Sequence, residues 1–229
     1  MSERPYVVLN VAMTADGKTD TIARSGAAIS SPQDMERVDR LRAESDGIMV
    51  GGHTLLGDDP RLTVKSERLR RERVKRGLEA NPVKAGVVTR ANLRPDSRFL
   101  TAGLGRVMVF TTTQTEAAQI DLLRQQGVQV FVMGEQRVDL SAALAELKQA
   151  GIQRLLVEGG GRLNEELLRL GLVDEISIYV APLIFGGAQA PTFASGPGLK
   201  REAAIRLQLV EVENLGDGGI VLHYLPETD

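Results

Sequence analysis

The chain has 229 residues with 28 basic and 30 acidic side chains, a formal charge of −2, no cysteine and two histidines. It cannot build a disulfide framework, a thiolate metal site or a cysteine nucleophile, and a multi-histidine metal cage is not expected. Balanced charge and an aromatic content of 3% argue against nucleic acid as a partner. No apolar run approaches the roughly 20 residues of a membrane span, and the N-terminus lacks a signal-peptide pattern. A soluble cytoplasmic protein is expected, with one domain over residues 1–229. Its chemistry is left to carboxylates, hydroxyls, backbone amides or a bound cofactor.

Tyr6 to Met13 reads as a buried strand, closed by the turn pair Asp16-Gly17. Ser30-Ser31-Pro32 starts a helix. In that helix Met35, Val38 and Leu41 form the apolar stripe, and Arg37, Arg40 and Arg42 fall between them. Ile48 to Val50 is a short buried strand followed by Gly51-Gly52, and Thr54 to Gly57 is one helical turn. Leu62 to Val64 is read as a small strand. From Lys65 to Arg76, seven basic residues stand against Glu67 and Glu72, which predicts a solvated, frayed helix.

Beyond this segment, strands alternate with helices. Strands are predicted over 84–89, 106–111, 128–133, 154–158 and 176–181, and helices over 116–126, 140–149 and 163–170. Ile205 to Val212 and Ile220 to Leu225, joined by Leu215-Gly216-Asp217-Gly218-Gly219, form an antiparallel hairpin. The pattern implies an α/β fold: a mostly parallel central sheet, helices on both faces, and a C-terminal antiparallel hairpin.

Two turns carry candidate chemistry. Glu158-Gly159-Gly160-Gly161-Arg162-Leu163-Asn164 joins a buried strand to a helix. Its glycines allow backbone N–H groups to approach phosphate oxygens, with the helix N-terminus adding positive potential. A plain tight turn explains the same glycines. Glu158 stands at the carboxyl end of its strand, where ligands collect in open α/β sheets. In the second turn, Thr54 and Asp58 share one face, suited to hydrogen bonds with a ribose or an amide, or equally to capping. His53 is read as a surface residue.

Taken in order, these segments resemble the riboflavin-biosynthesis pyrimidine reductases. The resemblance runs from Asn10-Val11-Ala12-Met13-Thr14-Ala15-Asp16-Gly17-Lys18 through Ile29-Ser30-Ser31-Pro32 and Asp58-Asp59-Pro60-Arg61-Leu62-Thr63-Val64. It continues through the Glu158 glycine block to Ala181-Pro182-Leu183-Ile184-Phe185-Gly186-Gly187. It implies a dihydrofolate-reductase-like fold, NADPH as cofactor and a homodimer. The implied reaction reduces the ribosyl side chain of a pyrimidine 5′-phosphate. The zinc deaminase signature that often accompanies this reductase is absent, so the free-standing, archaeal type is implied. That type acts on 2,5-diamino-6-ribosylamino-4(3H)-pyrimidinone 5′-phosphate. The deaminated uracil substrate and a pterin reductase on the same fold are the alternatives.

Residue by residue, the resemblance places Ala12, Ala28, Thr54, Asp58, Thr89, Arg90, Gly160, Gly161, Arg162 and Leu163 at the cofactor. It places Arg42, Leu62, Lys65 and Glu158 at the substrate. Glu158 and Asp16 are the candidate catalytic carboxylates, and no metal is implied.

Overall fold

The computed structural model describes residues 3–227. Two compact units emerge: residues 3–6 with Asp39–Leu156, and Val7–Val38 with residues 157–227.

In chain order the elements are β1 (Tyr6–Thr14), α1 (Pro32–Glu44), β2 (Gly47–Gly51), α2 (Glu67–Lys75), β3 (Val83–Val87), α3 (Arg98–Thr101) and β4 (Val107–Thr111). Then come α4 (Ala117–Gln125), β5 (Gln129–Val132), α5 (Leu140–Gln149), β6 (Arg154–Val157), α6 (Gly161–Arg169), β7 (Glu175–Ala181), β8 (Leu207–Asn214) and β9 (Ile220–Pro226). In the first unit the strand order is β5-β4-β3-β2-β6. The pairs β5–β4, β4–β3 and β3–β2 are all parallel. The second unit orders its strands β1-β7-β9-β8, with β1–β7 parallel and the two pairs made by β9 antiparallel. The parallel strands with antiparallel closing strands are those the alternation predicts.

The parallel strands are apolar because both of their faces are covered. Ile48, Met49, Val50, Met108, Val109 and Phe110 are fully buried. Phe110 stacks on Phe131 with centroids 5.2 Å apart. Each such side chain contributes about 1.5–3 kcal/mol by leaving water. At Gly86 on β3 an added Cβ would lie 2.8 Å from Leu55 Cδ2 and 3.4 Å from Phe99 Cζ, so the Leu55 side chain would have to shift.

Four expectations need correction. The buried stripe of α1 is polar: Asp34 is 0% and Arg37 6% exposed, whereas Met35 is 44% exposed. Arg37 donates from Nε to Asp34 (2.9 Å), from Nη1 to Ser177 Oγ (2.8 Å) and from Nη2 to Asn10 Oδ1 (2.9 Å). Those partners satisfy the buried guanidinium, so charge does not drive it outward. Leu62 to Val64 is not a strand. Asp59 and Leu62 both have φ of +46°, which breaks the extended path.

The basic segment is an ordered helix rather than a frayed one. Ser66 caps it, and Arg73 inside it is buried and donates to the carbonyls of Ala43 (2.8 Å), Ser45 (2.6 Å) and Glu79 (2.9 Å). Finally, α6 starts at Gly161, two residues before the expected Leu163. The short helix α3 has no counterpart in the sequence reading.

Candidate active site

In the first unit the candidate residues gather around three stretches. After β2, Gly52 lets the chain pass Val88, whose Cγ2 would be 2.9 Å from a Cβ at that position. Thr54–Asp58 then forms a single turn wound wider than an α-helix, a geometry that recurs at functional sites. Thr54 is half-buried and Asp58 exposed on this turn. Asp59 fixes the far end of the turn by accepting from the backbone N–H of Arg98 (2.8 Å) and Phe99 (2.9 Å). His53 is exposed, in line with its reading as a surface residue.

Leu62 is fully buried with its positive φ, a conformation that costs a β-carbon residue about 1–3 kcal/mol and clusters at ligand sites. The chain after it is pinned to α1. Asp39 accepts from the N–H groups of Lys65 (2.6 Å) and Ser66 (2.8 Å), and Arg42 Nη1 donates to the Thr63 carbonyl (3.1 Å). This places Arg42 against the Leu62–Lys65 stretch. The Lys65 side chain is exposed.

The third stretch is the exposed pair Thr89-Arg90 beyond β3. A threonine network that sequence reading missed holds it. Thr112 Oγ1 donates to the Thr89 carbonyl (2.8 Å), Thr115 Oγ1 accepts from Ala91 N–H (2.9 Å), and Thr111 and Thr115 share a 2.6 Å hydrogen bond. Arg90 Nε donates to Gln114 Oε1 at 3.3 Å. The run Thr111-Thr112-Thr113-Gln114-Thr115 after a buried strand is the signal that would have found it.

In the second unit, half-buried Glu158 lies at the end of β6. A cis peptide joins Gly159 to Gly160, and α6 begins at once. No side chain caps α6 at Gly160. The first N–H groups of any helix lack intrahelical acceptors, so Gly161, Arg162 and Leu163 present donors and positive potential to an anion. Gly161 is required by packing: a Cβ there would be 2.5 Å from the Thr192 carbonyl and 2.6 Å from Ser195 Oγ. Asn164 Nδ2 donates to the Phe193 carbonyl (2.8 Å), holding the same loop against α6. The donor set fits the phosphates of a dinucleotide.

Ala12, on β1, packs against the cluster of Ile29, Tyr179, Ala181 and Val221. Ala28 is exposed. Asp16 accepts from Thr14 Oγ1 (2.5 Å), Phe185 N–H (3.2 Å) and Gly186 N–H (2.7 Å). The Thr14 hydroxyl and these backbone N–H groups hold its carboxyl below the usual carboxylate range. An ionised acceptor bonded in this way is a brace for the Phe185-Gly186 turn. No group of three or more residues that could hold a metal occurs among the described residues.

Parallel strands alternating with helices, closed by antiparallel strands, define an α/β protein. The fold is dihydrofolate-reductase-like: dihydrofolate reductase from Enterococcus faecalis complexed with NADP(H) superposes with a TM-score of 0.53 at 12% identity, covering 97% of each chain. A pyrimidine reductase-like protein from Corynebacterium diphtheriae superposes with a TM-score of 0.84 at 20% identity, covering 98% of this chain and 93% of that one. The chain belongs to the RibD C-terminal domain family, whose model matches residues 5–221. It is 42% identical to the 2,5-diamino-6-ribosylamino-4(3H)-pyrimidinone 5′-phosphate reductase of Archaeoglobus fulgidus, covering 94% of this chain and 95% of that protein.

Proposed function

We propose that the chain reduces the ribosyl side chain of 2,5-diamino-6-ribosylamino-4(3H)-pyrimidinone 5′-phosphate to the ribityl chain with NADPH, as a single cytoplasmic reductase domain. The observation that carries this reading is Glu158 set directly before the uncapped start of α6, in a chain alike over nearly its full length to an archaeal reductase of that name.

NADPH supplies the hydride when bound, so no thiol or metal is needed. The residues of this chain bind and orient. Gly160, Gly161, Arg162 and Leu163 hold cofactor phosphate. Thr54 and Asp58 would bond its ribose or amide, and Arg90 would take a 2′-phosphate. Arg42 and Lys65 hold the substrate phosphate. Glu158 accepts hydrogen bonds from the pyrimidine amino groups or sugar hydroxyls. The glycosylamine nitrogen expels the ring oxygen to give an imine, and one hydride then adds at the first sugar carbon. One proton balances the reduction. Asp16, Asp58, Glu158 or water supplies it.

An exposed apolar edge supports a homodimer. β8 leaves Leu209 50%, Val210 58% and Val212 53% exposed, and a strand edge of this kind invites pairing with a second copy.

The test is NADPH oxidation with the diamino substrate, its deaminated counterpart and dihydrofolate. The diamino substrate is expected to give the highest kcat/KM. A preference for the deaminated pyrimidine would move the reaction after deamination, and turnover of dihydrofolate alone would replace the reading with a pterin reductase.

A further inference from the structure

The turn that carries Thr54 and Asp58 is held from outside. Asp59, the residue after it, has φ of +46° and ψ of +60°, a left-handed conformation that few residues with a β-carbon adopt. The Asp58 carbonyl ends the turn and needs a donor from elsewhere. Both needs are met by α3, 39 and 40 residues further along the chain.

Arg98, the first residue of α3, does most of this. Its Nη2 donates to the Asp58 carbonyl (2.6 Å), its Nε lies 3.5 Å from Asp59 Oδ2, and its backbone N–H donates to that same oxygen (2.8 Å). Phe99 N–H donates to the other Asp59 oxygen (2.9 Å). A planar guanidinium presents several donors in one fixed fork, so it can hold a carboxylate and a carbonyl at once.

The helix that bears Arg98 is itself anchored on β3. Phe99 is fully buried and, with Leu55 of the turn, lies over Gly86. The Lys84 ammonium donates to the carbonyls of Phe99 and of Ala102 (2.9 Å to the latter). The Arg98 side chain is 55% exposed, so it acts through its polar contacts rather than through burial. A residue's backbone sets the direction of its Cα–Cβ bond. With its carbonyl pinned by Arg98 and the next residue pinned by α3, Asp58 keeps only its side-chain torsions free. A contact group ordered in advance loses less entropy when its ligand arrives.

We propose that Arg98 is a positioning residue for the cofactor: seated between the Asp59 carboxylate and the Asp58 carbonyl, its guanidinium aims the Asp58 side chain at NADPH. The proposal rests on the reading of Asp58 as a cofactor contact.

A double-mutant cycle on NADPH affinity is the test. Fluorescence titrations of the full chain would compare the parent, Arg98→Gln, Asp58→Ala and the double variant. Arg98→Gln is expected to weaken NADPH binding three- to tenfold in the parent background and less than twofold in the Asp58→Ala background. Its kcat at saturating NADPH is expected within about twofold of the parent, and its melting temperature to match. The same loss in both backgrounds would show Arg98 acting on the cofactor directly and overturn the proposal, as would a loss confined to kcat. No NADPH binding by the parent would overturn the cofactor reading and this proposal with it. Equal binding by the parent and Arg98→Gln would overturn this proposal alone.

Discussion

Gly52 after β2 and Gly161 in the glycine run after β6 both follow the carboxyl end of a strand, yet their missing side chains make room for different neighbours. At Gly52 the neighbour is the Val88 side chain, 2.9 Å from where a Cβ would stand. A methyl group can rotate or shift. At Gly161 it is the Thr192 carbonyl at 2.5 Å, with Ser195 Oγ at 2.6 Å. A backbone carbonyl yields only if its loop moves. The first turn therefore presents side chains, Thr54 and Asp58, on a tolerant frame. The second presents bare N–H groups on a frame that tolerates no added carbon.

Substitution at Gly161 tests this contrast hardest. Gly161→Ala is expected to weaken NADPH binding at least tenfold, because the loop at 192–195 must leave the start of α6 and carry the donor geometry with it. Gly52→Ala is expected to stay within about threefold of the parent, since a shifted methyl costs on the order of 1 kcal/mol. Equal losses in fluorescence titrations would break the distinction.

Glu158→Gln comes next. It should lower kcat/KM more than tenfold while leaving the NADPH dissociation constant unchanged, separating a substrate carboxylate from the cofactor donors beside it. Kinetics like those of the parent would remove Glu158 from the site. A smaller effect is expected at the other turn. Thr54→Ala should raise the KM for NADPH by about three- to tenfold, the worth of one hydrogen bond, and Thr54→Ser should restore it.

The smallest effect on activity, but a clear one on stability, concerns Lys84, on the β3 strand leading to Val88. Burial lowers its pKa to about 8. The unfolded chain keeps the ordinary value of 10.5 and so binds more protons than the fold between those two pH values. The burial penalty is present in full below pH 8 and is relieved as pH rises from 8 to 10.5. Denaturant melts should show parent stability gaining on Lys84→Met across that window. A parallel course for the two proteins would place the Lys84 charge in contact with water.

The strand–helix alternation was legible because short apolar runs alternated with amphipathic stretches, several of them punctuated by glycine, as at Gly51, Gly127, Gly151 and Gly159. The glycine block at 159–161 and the carboxylate before it were legible for the same reason. The buried polar face of α1 was not, because period counting ranks Met35 above Arg37 and cannot see that Asn10 and Ser177 sit opposite it. Asp16 reads from sequence as a carboxylate in a loop after a strand, and its partners at Phe185 and Gly186, some 170 residues on, lie beyond any local pattern. The positive φ of Leu62 likewise leaves no mark in the local apolar pattern.

The central claim, reduction at the first sugar carbon by a nicotinamide hydride, is tested most directly by label transfer. The reaction would be run with NADPH deuterated at either face of C4, and the product read by mass spectrometry and NMR. The account predicts one deuterium, from one face only, on the carbon of the ribityl chain that joins the amine. Deuterium in the pyrimidine ring, or a product without label from both cofactors, would contradict it.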